Sequence, residues 1–288
     1  MSCGARSRVT TVVMTRDRWP DLRQSLAYHE GPVVLVDNGS RDGTPHLVRR
    51  HFPHVRVVEL DANLGAQARN IGVQQARTPY VAFADDDSWW APGALATAAE
   101  HFDRHPRLGL LAARILVGRD GRLDPVCTVM ARSPLGWDDD LPGPSVLGFV
   151  ACGSVVRRDS FLRAGGFDKV VFFAGEEERL ALDLACDGWA LAYVDDVVAH
   201  HHPSPVRDPA AREVLIRRNR LLTAMMRRPW PVVADVVRDD LLAGGPARRA
   251  VAAAVARLPE ALRHRRAVPA GVERALQRLE AHTTYACP

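Results

Sequence analysis

Four short apolar runs, each closed by a polar tip and followed by a helical stretch, restrict the fold of this chain more than any other feature. Val9 to Met14 ends in Thr15-Arg16-Asp17-Arg18, and a helix is expected from Trp19 to Tyr28 with Pro20 near its start, where a missing N–H is harmless. Val33 to Val36 ends in Asp37-Asn38-Gly39-Ser40 and leads into a helix over Thr44 to His51. Val55 to Leu60 runs to Asn63-Leu64-Gly65 and a helix over Ala66 to Ala76. Tyr80-Val81-Ala82-Phe83-Ala84 stops at Asp85-Asp86-Asp87, followed by Ser88-Trp89-Trp90 and a helix over Pro92 to His105. Short β-branched or aromatic runs alternating with helices predict an α/β fold built on a parallel sheet. In such sheets ligands bind outside the carboxyl ends of the strands, and all four polar tips fall on that edge.

The acidic tip carries the chemistry. Three adjacent carboxylates repel one another unless a cation or strong donors offset them. Oxygen-only acids at a strand end suit a hard divalent cation carrying a phosphate. Alone, this stretch also fits a solvated acidic turn, but four polar tips on one rim point to a nucleotide site.

Beyond His105 the expected elements are a strand over Leu108 to Val117, a hairpin turn at Asp120-Gly121, an irregular stretch from Pro125 to Pro144, and a strand over Val146 to Val156 broken at Cys152-Gly153. A short helix over Arg158 to Ala164, a helix over Glu176 to Cys186 stopped by Gly188, and strands over Trp189 to Val194 and Val197 to Ala199 follow, leading to His200-His201-His202. From Pro209 the pattern is helical: Ala210 to Met226, Pro231 to Leu242, Pro246 to His264 and Val272 to His282. A boundary near residue 206 divides a domain over residues 1–206 from a helical extension over residues 207–288.

A 288-residue chain that is 47% apolar and 25% charged, with net charge +4, has the composition of a globular protein and calls for no nucleic-acid partner. Cys3, Cys127, Cys152, Cys186 and Cys287 are odd in number, scattered, and form no Cys-x-x-Cys pair, which supports neither a zinc site nor a disulfide framework. A reducing cytoplasm fits best. Met1 to Arg8 is polar, without the apolar core of a signal peptide, and no run approaches the ~20 apolar residues of a membrane span.

In order, Val-Val-Met-Thr-Arg-Asp-Arg, Val-Asp-Asn-Gly-Ser-Arg-Asp-Gly-Thr, Asn-Leu-Gly-Ala-Gln-Ala-Arg-Asn and Ala-Asp-Asp-Asp resemble the family 2 glycosyltransferases of the GT-A fold, in particular bacterial rhamnosyl- and galactofuranosyltransferase-like members. The likeness runs from about Thr10 to His202. It implies a Rossmann-like, mostly parallel sheet flanked by helices, here with a C-terminal helical extension. It also implies an inverting transfer from a nucleotide-diphosphate sugar with Mn²⁺ or Mg²⁺. By that likeness Thr15, Arg16, Asp37, Arg69, Asp85 and Asp86 serve the nucleotide, and Asp87 is the direct metal ligand. Asp37 also fits a helix N-cap.

An inverting transfer needs a base for the acceptor hydroxyl. In the family this is an acid opening a helix about eleven residues before a glycine. Glu176-Glu177-Glu178-Arg179 stands there before Gly188, and the spacing selects Glu177, with Glu178 reached by a slip of one residue. The family usually has Asp at the base and another Asp where this chain has Arg179. Counting from Gly188 selects His201 as a further metal ligand, with His200 next. Trp89 and Trp90 fit either stacking on a sugar or core packing. Cys152-Gly153-Ser154 lies where the family shapes the sugar and acceptor pocket.

The expected donor is a UDP- or dTDP-sugar, and the acceptor a glycan, a lipid-linked glycan or a small molecule. The tail's arginines and its apolar residues at helical spacing suit packing on the core or a homodimer contact. They also suit peripheral contact with the inner face of an anionic membrane. Two other classes compete: a nucleotidyltransferase, for which the glycine-free Thr15 to Pro20 lacks the usual phosphate loop, and a non-catalytic sugar-nucleotide binder.

Overall fold

The computed structural model describes residues 7–203 and 209–285. Cys3, Cys287 and the boundary expected near residue 206 lie outside the described residues. The strands are β1 (Val9–Thr15), β2 (Val33–Asp37), β3 (Arg56–Glu59), β4 (Tyr80–Asp85), β5 (Ser88–Trp90), β6 (Leu108–Val117), β7 (Arg122–Leu123), β8 (Ser154–Arg157) and β9 (Ala190–His201). They form one sheet of order β3-β2-β1-β4-β8-β6-β9-β5, with β7 paired to β6. Between them run α1 (Trp19–Leu26), α2 (Thr44–His51), α3 (Gln67–Gln75), α4 (Ala94–Arg104), α5 (Pro125–Ala131), α6 (Arg158–Arg163) and α7 (Glu176–Cys186). After β9 come α8 (Pro209–Arg227), α9 (Trp230–Ala243), α10 (Gly245–Val255), α11 (Leu258–Arg263) and α12 (Ala270–Tyr285).

Strands β3, β2, β1 and β4 are parallel, whereas β8 runs antiparallel to both β4 and β6, so the sheet is mixed. The parallel register levels the tips: Thr15 stands beside Asp37, and Met14 beside Asp85. The chain steps from β1 to β2 on one side, while β4 flanks β1 on the other, so the strand order reverses there. That is where an open α/β sheet leaves a crevice for a ligand.

The core forms because the strand interiors carry apolar residues on both faces. Val12, Phe83, Leu110 and Val156 pack under α3, α6 and α7, while Tyr80, Leu111 and Val155 pack under α4, which contributes Phe102. Helix α3 comes close to the sheet at Gly72, where an added Cβ would lie 2.4 Å from Val12 Cγ1. One turn earlier on the same helix is Arg69. Beyond the sheet, α8 to α11 bury Leu221, Leu222, Val233 and Ala254 against Val170 and Val171, and α12 buries Leu276 against Leu182 of α7. No helix of the described residues is long and apolar enough to cross a membrane.

Four expectations change. The stretch from Pro125 to Pro144 is not all irregular: Asp124 caps α5, accepting from the Val126 N–H at 3.0 Å, and Pro125 takes the first helical position. The helix expected from Pro246 to His264 is two helices, because Pro259 cannot continue the first and opens α11 instead. Of the stretch expected as strand over Val146 to Val156, only its end belongs to a strand, β8, with a 3₁₀ turn over Ala151–Gly153 before it. His200 and His201 do not follow the last strand but belong to β9, paired with Trp89 and Ser88 of β5.

Candidate functional site

A cleft of about 300 Å³ opens at the tips of β1, β2 and β4. Of the residues expected from sequence, Thr15, Arg16, Asp85, Asp86 and Asp87 line it; Arg18, Asn38, Phe172 and Phe173 join them without having been assigned. Asp37 lies just beneath. It is buried, its Oδ2 accepts from the Ser40 N–H at 2.9 Å, and its Oδ1 is buried without a hydrogen-bond partner. A carboxylate oxygen left in that state is costly unless a ligand donor meets it. Asn38 shapes the rim beside it: its Nδ2 donates to the Gly65 carbonyl at 3.1 Å, and its Oδ1 accepts from the Leu64 N–H at 2.8 Å.

The three acids differ in their surroundings. Asp85 accepts from Arg69 Nη2 at 2.6 Å. Asp86 accepts from Thr15 Oγ1 at 3.2 Å and lies 3.8 Å from Arg18 Nε. Burial and the charges of Asp85 and Asp87 push its carboxyl up to about 7, against the pull of Arg18 and Thr15. Asp87 is buried; its backbone carbonyl accepts from the His202 N–H at 2.8 Å, and its Oδ1 lies 3.4 Å from His201 Nε2. His201 Nε2 is itself buried and makes no hydrogen bond.

Among the described residues no group of three or more His, Cys, Asp and Glu side chains is arranged to hold a metal unaided. Mg²⁺ and Mn²⁺ need no such cage, since one or two protein ligands plus substrate phosphates suffice. A carboxylate and an unbonded imidazole nitrogen 3.4 Å apart at the edge of the cleft fit that demand. His200 does not share it. Its ring stacks on Trp89 at 5.5 Å, and Tyr28 stacks on the same indole at 4.8 Å. Stacking of His200 and Tyr28 on Trp89 and the burial of Trp90 favour packing over sugar stacking for both tryptophans.

Arg69 does not line the cleft. It is 2% exposed and bridges two acids, donating to Asp85 at 2.6 Å and to Glu176 at 3.1 Å. It therefore ties the acidic turn to the first residue of α7. Removing it would strand Glu176, which is equally buried. Arg69→Met is expected to lower stability by about 3–5 kcal/mol, with Arg69→Met/Glu176→Met recovering most of the loss; urea unfolding of the single and double variants measures both.

Successive helical positions send Glu177 and Glu178 different ways. Glu177 is half-buried, accepts from the Ala151 N–H at 3.4 Å, and is pushed up to about 8 by burial and by Glu176, with Arg69 opposing. Burial also raises Glu178, but the charges around it are Arg220, Arg228 and Glu280 of the C-terminal helices. Cys152 lies between the two halves of the site: burial and the carboxylates Asp85, Asp87 and Glu177 hold its thiol well above its ordinary value. Arg179, the departure from the family pattern, is buried and paired with Asp183 and with Asp168 at 3.5 Å; Arg227 of α8 reaches the same Asp183 at 2.7 Å. The two acids Arg179 pairs with also meet Arg227 and His264 of the C-terminal helices, and none of these residues lines the cleft.

A family model described as glycosyl transferase family 2 matches residues 12–164. An N-acetylglucosaminyl-diphospho-decaprenol L-rhamnosyltransferase of Mycobacterium tuberculosis is 31% identical over 69% of this chain and 78% of its own length. A pre-mycofactocin glycosyltransferase of the same organism is 32% identical over 71% of this chain and 45% of its own length. In fold, the chain is similar to a mannosyltransferase of Pyrobaculum calidifontis solved with GDP-Man and Mn²⁺. The TM-score is 0.61 at 20% identity, over 99% of this chain and 89% of that one.

Proposed function

The chain belongs to glycosyltransferase family 2 and has the GT-A fold, and from that premise we propose that it moves a sugar from a nucleotide-diphosphate sugar to an acceptor hydroxyl in one inverting displacement. The observation that carries this reading is the Arg69 bridge from Asp85 to Glu176, which ties the acidic turn to the start of α7, where Glu177 follows. The acceptor oxygen attacks the anomeric carbon, the bond from that carbon to the diphosphate oxygen breaks, and Glu177 takes the hydroxyl proton. A base whose pKa lies near the working pH is effective in that role. Thr15, Arg16, Asp37, Asp85 and Asp86 hold the nucleotide. Asp87 and His201 would hold Mn²⁺ or Mg²⁺, which would supply charge stabilisation to the departing diphosphate.

The donor is a UDP- or dTDP-sugar and the acceptor a lipid-linked glycan, the class named for the mycobacterial relative. The work is cytoplasmic. The free thiols Cys127, Cys152 and Cys186 suit a reducing compartment. The C-terminal extension, with exposed Trp230, Leu242 and Val255 among its arginines, suits peripheral contact with the membrane or with a second copy. Thermal-shift screening of UDP-, dTDP- and GDP-sugars with Mn²⁺ tests the donor class. A stabilisation of about 3 kcal/mol is expected at a hundredfold excess over Kd. No shift with any of the three would overturn the donor class, and a shift without turnover would support the non-catalytic reading.

A further inference from the structure

The turn that leads into α7 is strained. Phe172 has φ +70° and Ala174 φ +68°, ahead of Gly175 at φ +89°. Side chains other than glycine's clash in that left-handed region, so two such residues in three persist only where the surroundings over-determine them. Both ends of the turn matter to the site. Phe172 and Phe173 line the nucleotide cleft, and Gly175 immediately precedes Glu176 and Glu177.

The groups that fix the turn come largely from the C-terminal helices. Asn219 of α8 is fully buried, and its Nδ2 donates to the carbonyls of Phe173 and Ala174, both at 2.6 Å. Its Oδ1 accepts from Arg218 Nε at 2.9 Å, and Arg218 Nη2 donates to the Val171 carbonyl at 3.2 Å. Arg257 Nη1 donates to the carbonyls of Lys169 and Val170 at 3.1 and 2.9 Å. From the cleft side the Ala66 N–H donates to the Phe172 carbonyl at 2.7 Å. Gly65 makes that approach possible, since an added Cβ would sit 2.4 Å from the Phe172 oxygen. A carboxamide nitrogen carries two donors, and here both are used on adjacent carbonyls. Aspartate has none to offer.

We propose that Asn219 is a positioning residue for the transfer: its carboxamide locks the Phe172–Gly175 turn, and thereby sets the wall of the nucleotide cleft and the seat of the base together. The part concerning the base rests on the reading of Glu177 given above. The charged and titratable groups facing Glu177 are Glu176 on its own helix, Arg69 from α3 and Cys152 from the 3₁₀ turn. Releasing the turn admits water to Glu177, which lowers the pKa that burial had raised.

Asn219→Asp keeps the volume and removes both donors; Asn219→Ala removes the group. In each, hydrogen exchange over residues 168–178 is expected to accelerate while the β1–β4 peptides keep their protection. Donor KM is expected to rise, and kcat to fall by about 10–100-fold, with the acidic limb of the kcat profile moving to lower pH. Asn219→Asp carries the test if Asn219→Ala does not fold. A fall in active fraction with unchanged KM, pH limb and local exchange overturns the proposal. If Glu177→Gln transfers at the parental rate, the base reading fails on its own. Local exchange and KM in the Asn219 variants then still decide whether the turn positions the nucleotide wall.

Discussion

Glu177→Gln is expected to lower kcat by about 10²–10⁴-fold, the range a positioned general base contributes, while donor KM stays near the parental value. The amide keeps the volume and can still accept from the Ala151 N–H, so the fold around α7 is preserved. The pH dependence sharpens the test. Glu177 acts only when deprotonated, and burial with Glu176 raises its pKa to about 8, so kcat/KM of the parent should climb through about pH 8 and level off above it. Stability should move the other way. The folded chain holds this proton more tightly than the unfolded chain does. The contribution is therefore complete below the usual carboxylate range and is lost as pH rises toward about 8. Glutamine never charges, so Glu177→Gln should gain on the parent in thermal melts from pH 5 to pH 8. A variant that transfers at the parental rate, or that gains nothing in stability over that interval, would remove Glu177 from the role. Glu178→Gln is the matched control. With Arg220, Arg228 and Glu280 as its charged surroundings, it should disturb the packing of the C-terminal helices and leave the alkaline climb of kcat/KM in place.

The rim of the site is legible in the sequence because its determinants are local. A strand interior excludes charge, so the residue at which charge resumes marks the tip, and four tips in parallel register meet on one edge. Helical rotation, once the turn fixes the start of α7, gives Glu177 and Glu178 different charged surroundings. Two boundaries also rest on local signals: Asp124-Pro125, which opens α5, and Pro259, which divides α10 from α11. Other features depend on pairings that local sequence does not carry. Arg69 looks like one more polar residue beside a nucleotide, yet its partner Glu176 is 107 positions away. Trp89 looks available to a sugar until β5 pairs with β9 and delivers His200 to one face of its ring. Asn219 lies in an arginine-rich helix with nothing to distinguish it. Its meaning comes from two carbonyls 46 and 45 residues earlier, in a turn where two of the three left-handed residues are not glycine.

Asp87→Asn should abolish divalent-cation-dependent turnover, a loss of at least roughly 10³-fold, since metal stabilisation of a departing anionic group is worth several kcal/mol. The substitution is close to isosteric. The backbone stays tied to the residue that follows β9 through the His202 N–H at 2.8 Å, a contact the substitution leaves in place. The donor set also predicts which ion works. Carboxylate alone suits Mg²⁺, whereas an imidazole nitrogen adds preference for Mn²⁺. His201 Nε2, buried, without a hydrogen bond and 3.4 Å from Asp87 Oδ1, should therefore favour Mn²⁺ over Mg²⁺. His201→Ala should lose most of that advantage while retaining Mg²⁺-supported turnover. Electron paramagnetic resonance of Mn²⁺ titrated into the protein with UDP reads binding without reference to activity. Binding should weaken by about tenfold in His201→Ala, the low end of what one ligand or its support contributes, and vanish in Asp87→Asn. Unaltered Mn²⁺ binding in Asp87→Asn would move the site elsewhere along the acidic turn. Asp85 is then the weaker candidate, because Arg69 already occupies one of its oxygens at 2.6 Å. Asp86, pushed up to about 7 by burial and by Asp85 and Asp87 and facing Thr15 and Arg18, would be the residue to change next.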